Sequence, residues 1–336
     1  MNMQQKRHIA IIAGGDSSEH EVSLRSAAGL KTFIDAEKYD TTIVVLRGTD
    51  WKTEDGCVID KNDFSFTRGG VKHTFDFAYI TIHGTPGENG VLQGYLDMIG
   101  MPYSCCGVLA AALTFNKYAC NHYLSYFGFH IANSMILRAG QKWPNAQKIA
   151  DTLGLPCFIK SNIGGSSFGC TKVKTVEDIY PAIERAFGEG DEVICEAFMQ
   201  GTEVTCGVYK TREKAVAFPI TEVVTHNEFF DYDAKYKGQV DEITPARIPD
   251  ALRDKIQAET LRLYDIIGAN GIIRVDWILT KPSAVSIQDS DKVQLNLLEV
   301  NTTPGMTPTS FIPQQVRAAG LDIKNVLTDI IENKFK

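Results

Sequence analysis

The sequence has no long apolar stretch, and this absence excludes proteins with a membrane-spanning helix. No run of residues is long enough to span a bilayer, and the apolar run before Gly14 is too short for the core of a signal peptide. Internal repeats and low-complexity tracts are missing too. We therefore expect a globular, cytoplasmic protein without a membrane partner.

Paired cysteines and an excess of positive charge are also lacking. The eight cysteines include no CxxC pair, and Cys157 and Cys195 stand among apolar residues, which indicates reduced thiols and agrees with the cytoplasm. The chain has 34 Lys and Arg against 41 Asp and Glu, a net charge of −7. Because such a chain has no general attraction to phosphate backbones, we expect no nucleic-acid partner, although a local basic site for a small anion stays open.

What is present is an ordinary globular composition. The 336 residues are 44% hydrophobic and 22% charged. This length exceeds what one hydrophobic core usually organises, so we expect two or three domains with a cleft between them. We divide the chain into blocks at 1–105, 106–196 and 197–336.

The hydrophobic patterns predict alternating strands and helices in the first block, which is typical of a parallel, doubly wound α/β sheet. The predicted strands cover 8–13, 41–46, 77–82, 157–160, 169–173, 194–198, 203–209, 215–222, 272–279 and 295–300. The predicted helices cover 17–33, 90–99, 108–127, 176–187, 250–267 and a segment after Pro313. We also predict a polar loop at 225–245 and a hairpin turn at 289–292.

Two glycine-containing turns follow predicted strands of the first block. Residues 14–23 read GGDSSEHEVS, and free amides at the start of a helix favour an anion. The segment is not GxGxxG, however, and taken alone it is explained better as a tight turn with Ser17 or Ser18 as helix cap. Residues 83–90 read HGTPGENG at a position where open α/β sheets bind ligands, although a Gly/Pro loop without a ligand fits equally well.

A third segment, KSNIGGSSFG at 160–169, places a lysine at a strand end before a loop of small residues. Backbone amides and hydroxyls of such a loop can bind phosphate oxygens while Lys160 supplies charge. It is not a Walker P-loop, because Cys170 follows Gly169 and no helix begins there. The alternative is a flexible hairpin tip. The apolar strand around Lys160 favours the phosphate site.

The strongest constellation joins two predicted strands near the end of the chain. Asp276 follows Arg274 on one strand, and Glu299 and Asn301 lie on another, on the same face by strand alternation. Carboxylate and amide oxygens suit a hard divalent cation that carries phosphates. A salt bridge from Arg274 to Glu299 on a solvated face is the alternative, but the neighbouring residues are apolar, and buried acids are costly without a cation.

Together and in this order, these segments resemble the D-alanine–D-alanine ligases of the ATP-grasp superfamily. Eight matching segments in register make the resemblance highly specific. They are GGDSSEHEVSL (14–24), HGTPGENGVLQGYLDMIGMPYS (83–104), FNKYACNHYL (115–124), IKSNIGGSSFG (159–169), EAFMQGTEVT (196–205), FFDYDAKY (229–236), IIRVDW (272–277) and LLEVNTTPGMTPTSF (297–311). The resemblance implies an α/β ATP-grasp fold. An N-terminal Rossmann-like domain holds the first D-alanine, and two α+β domains clasp ATP.

The resemblance also implies the nucleotide and metal residues. The lysines contact the phosphates, the run 196–199 holds adenine as a hinge, and Glu203 takes the ribose hydroxyls. The implied ATP-binding residues are Lys117, Lys160, Glu196, Ala197, Phe198, Met199, Glu203 and Lys235. Asp276, Glu299 and Asn301 are implied to bind two magnesium ions, which manganese can replace.

The catalytic and substrate residues follow from the same resemblance. Glu19 holds the ammonium of the first D-alanine and forms a hydrogen-bonded relay with Ser166 and Tyr236. Arg274 faces the reacting carboxylate, and with the Gly305 amide it stabilises the oxyanion.

The resemblance places three more residues against the substrates. His83 lies near the first D-alanine, while Ser310 and Phe311 shape the site of the second. In four positions the sequence departs from the usual family residues. These departures are Asn89 and Asn116 for Asp, Ala197 for Lys, and Phe230 for Tyr.

The implied activity is the ATP-dependent ligation of two D-alanine molecules through D-alanyl phosphate, for peptidoglycan precursor synthesis, by a homodimer. The loop at 225–245 closes as a lid in this interpretation, because an acyl phosphate must be kept from water. A D-alanine–D-lactate ligase would share almost every residue, and another ATP-grasp carboxylate–amine ligase would differ at Glu19, Tyr236 and Ser310. From other classes, a non-catalytic nucleotide-binding regulator and a nicotinamide dehydrogenase are weaker hypotheses.

Overall fold

The computed structural model describes residues 6–163, 169–225 and 240–336, with no side chain described for Val240. The strands in these ranges form four sheets. None of the helices there combines the length and the apolar character needed to cross a bilayer.

The N-terminal sheet has the strand order β3–β2–β1–β7. Its central strand β1 pairs in parallel with β2 and β7, which confirms the predicted parallel sheet, while β3 adds an antiparallel edge. Two helices, α1 and α2, follow β1 and β7 along the chain. The bounds are β1 Arg7–Gly14, α1 His20–Phe33, β2 Tyr39–Arg47, β3 Asp50–Thr53, β7 Phe77–Ile80 and α2 Val91–Met98.

Between β3 and β7 the chain forms a small antiparallel sheet that the sequence patterns did not predict. Its strands are β4 Ile59–Asp60, β5 Ser65–Arg68 and β6 Val71–His73. Each strand is too short for an alternating pattern to stand out from a turn-rich polar segment.

The central sheet is antiparallel, in the order β11–β10–β12–β9. Helices α5 and α6 pack on it around a buried cluster that includes Ile149, Ile159, Ile183 and Val193. Strand β9 and helix α5 were not predicted. The bounds are β9 Ser134–Arg138, α5 Ala146–Leu153, β10 Cys157–Ser161, β11 Thr171–Val173, α6 Ile179–Phe187 and β12 Glu192–Ala197.

The largest sheet has the order β16–β15–β13–β17–β18–β8, with β14 paired to β13. The predicted strand at 215–222 is two strands, and a short 3₁₀ helix at Ser290–Lys292 replaces the predicted simple turn. The strands are β8 His130–Ile131, β13 Thr202–Lys210, β14 Ala215–Ala217, β15 Thr221–Thr225, β16 Val240–Ile243, β17 Ile272–Thr280 and β18 Gln294–Asn301; helix α7 is Asp250–Ile266.

The predicted helix at 108–127 is two helices, α3 Val108–Phe115 and α4 Lys117–Ser125, separated at Asn116. Both contribute to the buried cluster of the large sheet rather than to the central sheet, through Ala110, Ala111, Cys120 and Leu124. Strand β8 also joins the large sheet. Residues 106–131 therefore pack with the C-terminal part of the chain, and the block limits at 105 and 196 stay predictions.

Two C-terminal helices, α8 Phe311–Ala318 and α9 Ile323–Glu332, connect the N-terminal sheet to the large sheet. The first begins before Pro313, which occupies its first turn. A single buried cluster contains Ile11 of β1, Tyr209 of β13 and Leu327 of α9. This shared core brings the carboxyl ends of the N-terminal strands beside the end of β18.

Candidate active site

The turn between β1 and α1 approaches the second loop closely. Gly14 and Gly15 have φ of +93° and +91°, a backbone region that favours glycine. The Ser17 hydroxyl donates to the His83 carbonyl oxygen over 2.7 Å and accepts from the Glu19 amide over 3.2 Å. Glu19 is buried and directly precedes α1, so the helix begins three residues later than predicted.

The second loop adds a carboxylate that the sequence interpretation did not assign. The Gly84 amide donates to Glu88 over 2.7 Å. Burial, and then the negative charge of Glu19, raise the pKa of Glu88 to about 7. The imidazole of His83, also buried, contacts the Ser26 hydroxyl at 3.4 Å. The two glycine-containing turns thus form one wall with two acidic groups.

Strands β17 and β18 bring the strongest predicted constellation together. Asp276 lies directly opposite Glu299, and Arg274 lies opposite Asn301. A regular strand would turn Glu299 toward the core, because Leu295 and Leu297 both belong to the buried cluster.

A β-bulge prevents this. Leu297 pairs with Trp277 and Glu299 with Asp276, so Leu298 is the extra residue. After the bulge Val300 faces the core instead. The Asn121 side-chain amide of α4 donates to the Leu298 carbonyl oxygen over 3.2 Å. The bulge therefore sets the face on which Glu299 and Asn301 lie.

Arg274 and Asp276 form a two-pronged ion pair in a buried position. The guanidinium donates to the two carboxylate oxygens over 2.8 and 2.7 Å, and Thr205 donates to the same carboxylate. Burial opposes the charge on Arg274, but the attraction of Asp276 outweighs it and raises the arginine pKa. The alternative, a salt bridge from Arg274 to Glu299 on a solvated face, is wrong because Arg274 is buried. Glu299 nevertheless lies 3.7 Å from the Arg274 guanidinium.

The oxygen donors fit a divalent cation that completes its coordination with other ligands. Glu299 is one-third exposed, and its second oxygen lies 3.8 Å from the Lys117 ammonium. Among the described residues, no group of three or more His, Cys, Asp or Glu side chains can hold a metal by itself. Two carboxylates and an amide match magnesium, which keeps waters and substrate phosphates as ligands.

Lys160 lies on β10 and pairs with Glu196 on the neighbouring strand β12, with 2.6 Å between Nζ and Oε2. Burial lowers the pKa of Lys160, but the negative charges of Glu196 and Glu299 are among those that outweigh burial and raise it. The Glu196 carboxylate is thus already bound to a lysine, which the sequence did not predict.

The residues after Glu196, predicted as a hinge, connect β12 of the central sheet to β13 of the large sheet. The Ala197 amide donates to the Asn133 carbonyl oxygen over 2.8 Å. The Phe198 ring packs against Phe158, and the Lys172 ammonium lies 4.2 Å from its centroid. Met199 connects this hinge toward β13, where Glu203 lies opposite Ile278 of β17.

The segment after β18 closes the site. The Ser310 hydroxyl lies 2.7 Å from the Thr307 hydroxyl and accepts a hydrogen bond from the Thr307 backbone amide. The Arg274 guanidinium lies 5.3 Å from the centroid of the Phe311 ring. Gly305 lies beside Ser310, because an added Cβ would meet the Ser310 hydroxyl at 2.9 Å.

A cavity of about 520 Å³ joins these walls. Residues of the N-terminal turns, of α4 and of the two C-terminal strands line it together. Of the predicted residues it contains Glu19, His83, Lys117, Arg274, Glu299, Asn301, Gly305, Ser310 and Phe311, and it adds Glu88. Ser166, Lys235 and Tyr236, like Phe230, lie outside the described residues.

Comparisons with known proteins identify the family of the chain. A family model described as the N-terminus of D-ala D-ala ligase matches residues 8–106, and one described as its C-terminus matches 124–332. The D-alanine--D-alanine ligase of Bacteroides fragilis is 63% identical over 334 residues, which cover 98% of this chain and 100% of that protein.

Solved structures are similar over the same length. D-alanyl-alanine synthetase A from Vibrio cholerae has a TM-score of 0.85 at 29% identity and covers 98% of this chain and 99% of its own. VanG D-Ala:D-Ser ligase from Enterococcus faecalis has a TM-score of 0.83 at 29% identity, with 98% and 100% covered. The chain therefore belongs to the D-alanine–D-alanine ligase family and has its ATP-grasp fold.

Proposed function

We propose that this protein joins two D-alanine molecules into D-alanyl-D-alanine, with conversion of ATP to ADP and phosphate, for peptidoglycan precursor synthesis. The single observation that carries the proposal is the cavity. It unites an acidic wall of Glu19 and Glu88 with the cationic and carboxylate groups of Lys117, Arg274 and Glu299. An amino acid and a polyphosphate can meet there.

The lysines are suited to the phosphates of ATP. An amine cannot displace oxide from a carboxylate, because oxide is a poor leaving group. The carboxylate of the first D-alanine must therefore be converted to an acyl phosphate, from which the attacking amine displaces phosphate. Lys117 and Lys160, held by Glu299 and Glu196 respectively, would spread the charge of the moving phosphoryl group. We assign the hinge 196–199 to adenine, Glu203 to the ribose, and Lys235 to the terminal phosphate.

We assign two magnesium ions to Asp276, Glu299 and Asn301. Bound magnesium supplies positive charge that offsets the phosphate oxygens. Arg274 holds Asp276 from one side, so the carboxylate keeps a fixed orientation while lone pairs remain for the cation. Manganese can replace magnesium there, because it binds the same oxygen ligands.

Arg274 and the Gly305 amide are assigned to the oxyanion that forms when the second D-alanine attacks. The guanidinium is fixed from two sides, by Asp276 and by the Phe311 ring, so it needs little reorganisation during the reaction. Glu19 and His83 are assigned to the first D-alanine, and Ser310 and Phe311 to the second. Glu19, Ser166 and Tyr236 are assigned to a hydrogen-bonded relay.

The decisive experiment measures phosphate release and products from ATP and magnesium with D-alanine, L-alanine or D-lactate added separately. We expect rapid release and dipeptide with D-alanine alone, and near-background release without it. Vigorous ATP hydrolysis without D-alanine would indicate an ATPase or a regulator instead.

A mixture of D-alanine and D-lactate tests the acceptor. We expect mainly dipeptide at neutral pH, and a higher share of the depsipeptide for Tyr236→Phe, because the relay then loses a hydroxyl. An unchanged product ratio, measured by mass spectrometry across a pH series, would contradict the role assigned to Tyr236.

We also assign the protein to the cytoplasm as a homodimer, acting without nucleic-acid or membrane partners. All eight cysteines are free thiols, six of them buried and two partly exposed, as a reducing compartment requires. Sedimentation of the purified chain distinguishes a dimer from a monomer.

A further inference from the structure

A buried asparagine joins the two elements that carry Lys117 and Lys160. Asn162 follows β10 two residues after Lys160, and it is fully buried. Its carbonyl oxygen accepts from the Lys117 amide over 3.2 Å, and its side-chain oxygen accepts from the Tyr118 amide over 2.8 Å. Because α4 packs on the large sheet while β10 belongs to the central sheet, these bonds cross between the two.

The first three residues of α4 all find partners for their backbone amides in this arrangement. The amides of the first turn have no partner within a helix and must be satisfied from outside. Asn162 accepts from Lys117 and Tyr118, and the Asn116 side-chain oxygen accepts from Ala119 over 2.9 Å. The backbone position of Lys117 is thereby set by two asparagines.

One carboxylate orients both asparagines. Glu192 Oε2 accepts from the Asn162 side-chain amide over 2.7 Å and from the Asn116 side-chain amide over 3.1 Å. Its other oxygen accepts from Arg138 over 2.7 Å. These bonds fix which atom of each asparagine faces the helix, because only the amide nitrogens can donate to the carboxylate.

We infer that Glu192, with Asn116 and Asn162, is a positioning network that sets Lys117 relative to Lys160 and so determines nucleotide affinity. The inference rests on the proposed binding of ATP phosphates by these lysines. None of the three residues lines the cavity, so they act through the lysines rather than by touching substrate. A carboxylate at position 116 would lie against the negative charge of Glu192. It would also remove the hydrogen bond that the Asn116 side-chain amide donates to Glu192.

The test compares Asn116→Asp with Asn145→Asp. Both asparagines cap a helix through their side-chain oxygen, which aspartate retains. Asn145 is exposed at the start of α5, away from the cavity lining. Affinity for the non-hydrolysable analogue AMP-PNP with magnesium is measured by calorimetry on each variant and on the native chain.

We expect about tenfold weaker AMP-PNP binding for Asn116→Asp, within the range of coupling between contacting residues, and unchanged binding for Asn145→Asp. The KM for ATP should rise while the KM for D-alanine stays near its native value. Adding Glu192→Gln to Asn116→Asp should recover part of the lost affinity, because the two carboxylates no longer face each other.

Equal AMP-PNP affinity for the two aspartate variants, or no recovery in the double variant, would overturn the network. Dipeptide formation by the native chain tests the proposed function separately. A native chain that binds AMP-PNP but forms no dipeptide refutes the proposed function, while the affinity ratios still decide the positioning role.

Discussion

At the residue scale, the predicted site contains charges that are balanced before any substrate binds. Asp276 is held by Arg274, Glu196 by Lys160, and one Glu299 oxygen lies 3.8 Å from Lys117. Removing one partner leaves the other charge partly buried and without its counterpart, which is costly. Substitutions there therefore affect both stability and chemistry, and each needs a readout of folding.

Glu299→Ala tests the metal assignment. We expect a folded protein whose ligation rate falls by roughly a hundredfold or more, because a charged oxygen is lost where phosphoryl charge develops. Product formation is measured at several magnesium concentrations, with thermal melting as the check on folding. The control is Glu184→Ala, since Glu184 is exposed on α6. A near-native rate in the purified Glu299 variant would refute the assignment.

Glu88→Gln tests the acidic wall. The pKa of Glu88 is raised from 4.5 to about 7, so its neutral form is favoured in the folded chain. The stability that this provides is fully present below about pH 4.5 and is lost as pH rises through about 7. Glutamine stays neutral and can still accept from the Gly84 amide.

The melting temperature of Glu88→Gln relative to the native chain should therefore increase between pH 5 and pH 8. It is measured without metal and substrates, so that their binding does not contribute to stability. A difference that stays constant over this range would show that Glu88 does not titrate there.

At the element scale, Gly29 of helix α1 allows the loop that follows β18 to pack closely against the helix. An added Cβ on Gly29 of α1 would lie 2.4 Å from the Met306 carbonyl oxygen. The Met306 amide in turn approaches the Ser26 hydroxyl at 3.4 Å. Helix α1 thus supports the segment that carries Gly305 and leads to Ser310.

Gly29→Ala and Gly94→Ala form a matched pair for this contact. Alanine in a helix interior is normally more favourable than glycine by about 0.5–1 kcal/mol. An added Cβ on Gly94 of α2 meets only the Val108 side chain at 3.7 Å, so we expect a neutral or stabilising change there.

Gly29→Ala should instead destabilise by about 1–3 kcal/mol, the usual cost of overpacking. It should also raise the KM for the second D-alanine, because the Gly305 segment must shift. Urea unfolding and initial rates measure the two effects. Equal behaviour of the two alanine variants would refute the support role of α1.

At the scale of the whole molecule, one buried cluster belongs to both the N-terminal sheet and the large sheet. Leu327 of α9 lies in it with residues of β1 and β13. The central sheet has a separate cluster that contains Leu153. The two parts of the cavity wall, which come from the N-terminal turns and from β18, are therefore joined by the C-terminal helices.

Leu327→Ala should cost about 2–5 kcal/mol, as a leucine-to-alanine change in a core does. We expect faster hydrogen exchange in β1 and β13 together, with little change in β10. Leu153→Ala should show the reverse pattern. Exchange that rises only in the C-terminal helices for Leu327→Ala would contradict a shared core.

Much of the fold could be predicted because its signals are local. The strands β1, β10, β17 and β18 are apolar runs bounded by glycine or polar residues, and their ends carry the predicted site residues. The strands between residues 50 and 73 were missed, since two to four residues do not establish a period. The break at Asn116 was missed because both neighbouring segments are helical.

The predicted site residues and their order along the chain follow from local sequence, since chemical groups at strand ends are local properties. How these residues face one another depends on long-range packing. The bulge at Leu298 turns Glu299 toward the cavity, and Glu192 connects Asn116 to Asn162 across a long stretch of chain. Strand alternation predicts neither, because a bulge and a long-range hydrogen bond depend on partners that the local sequence does not contain.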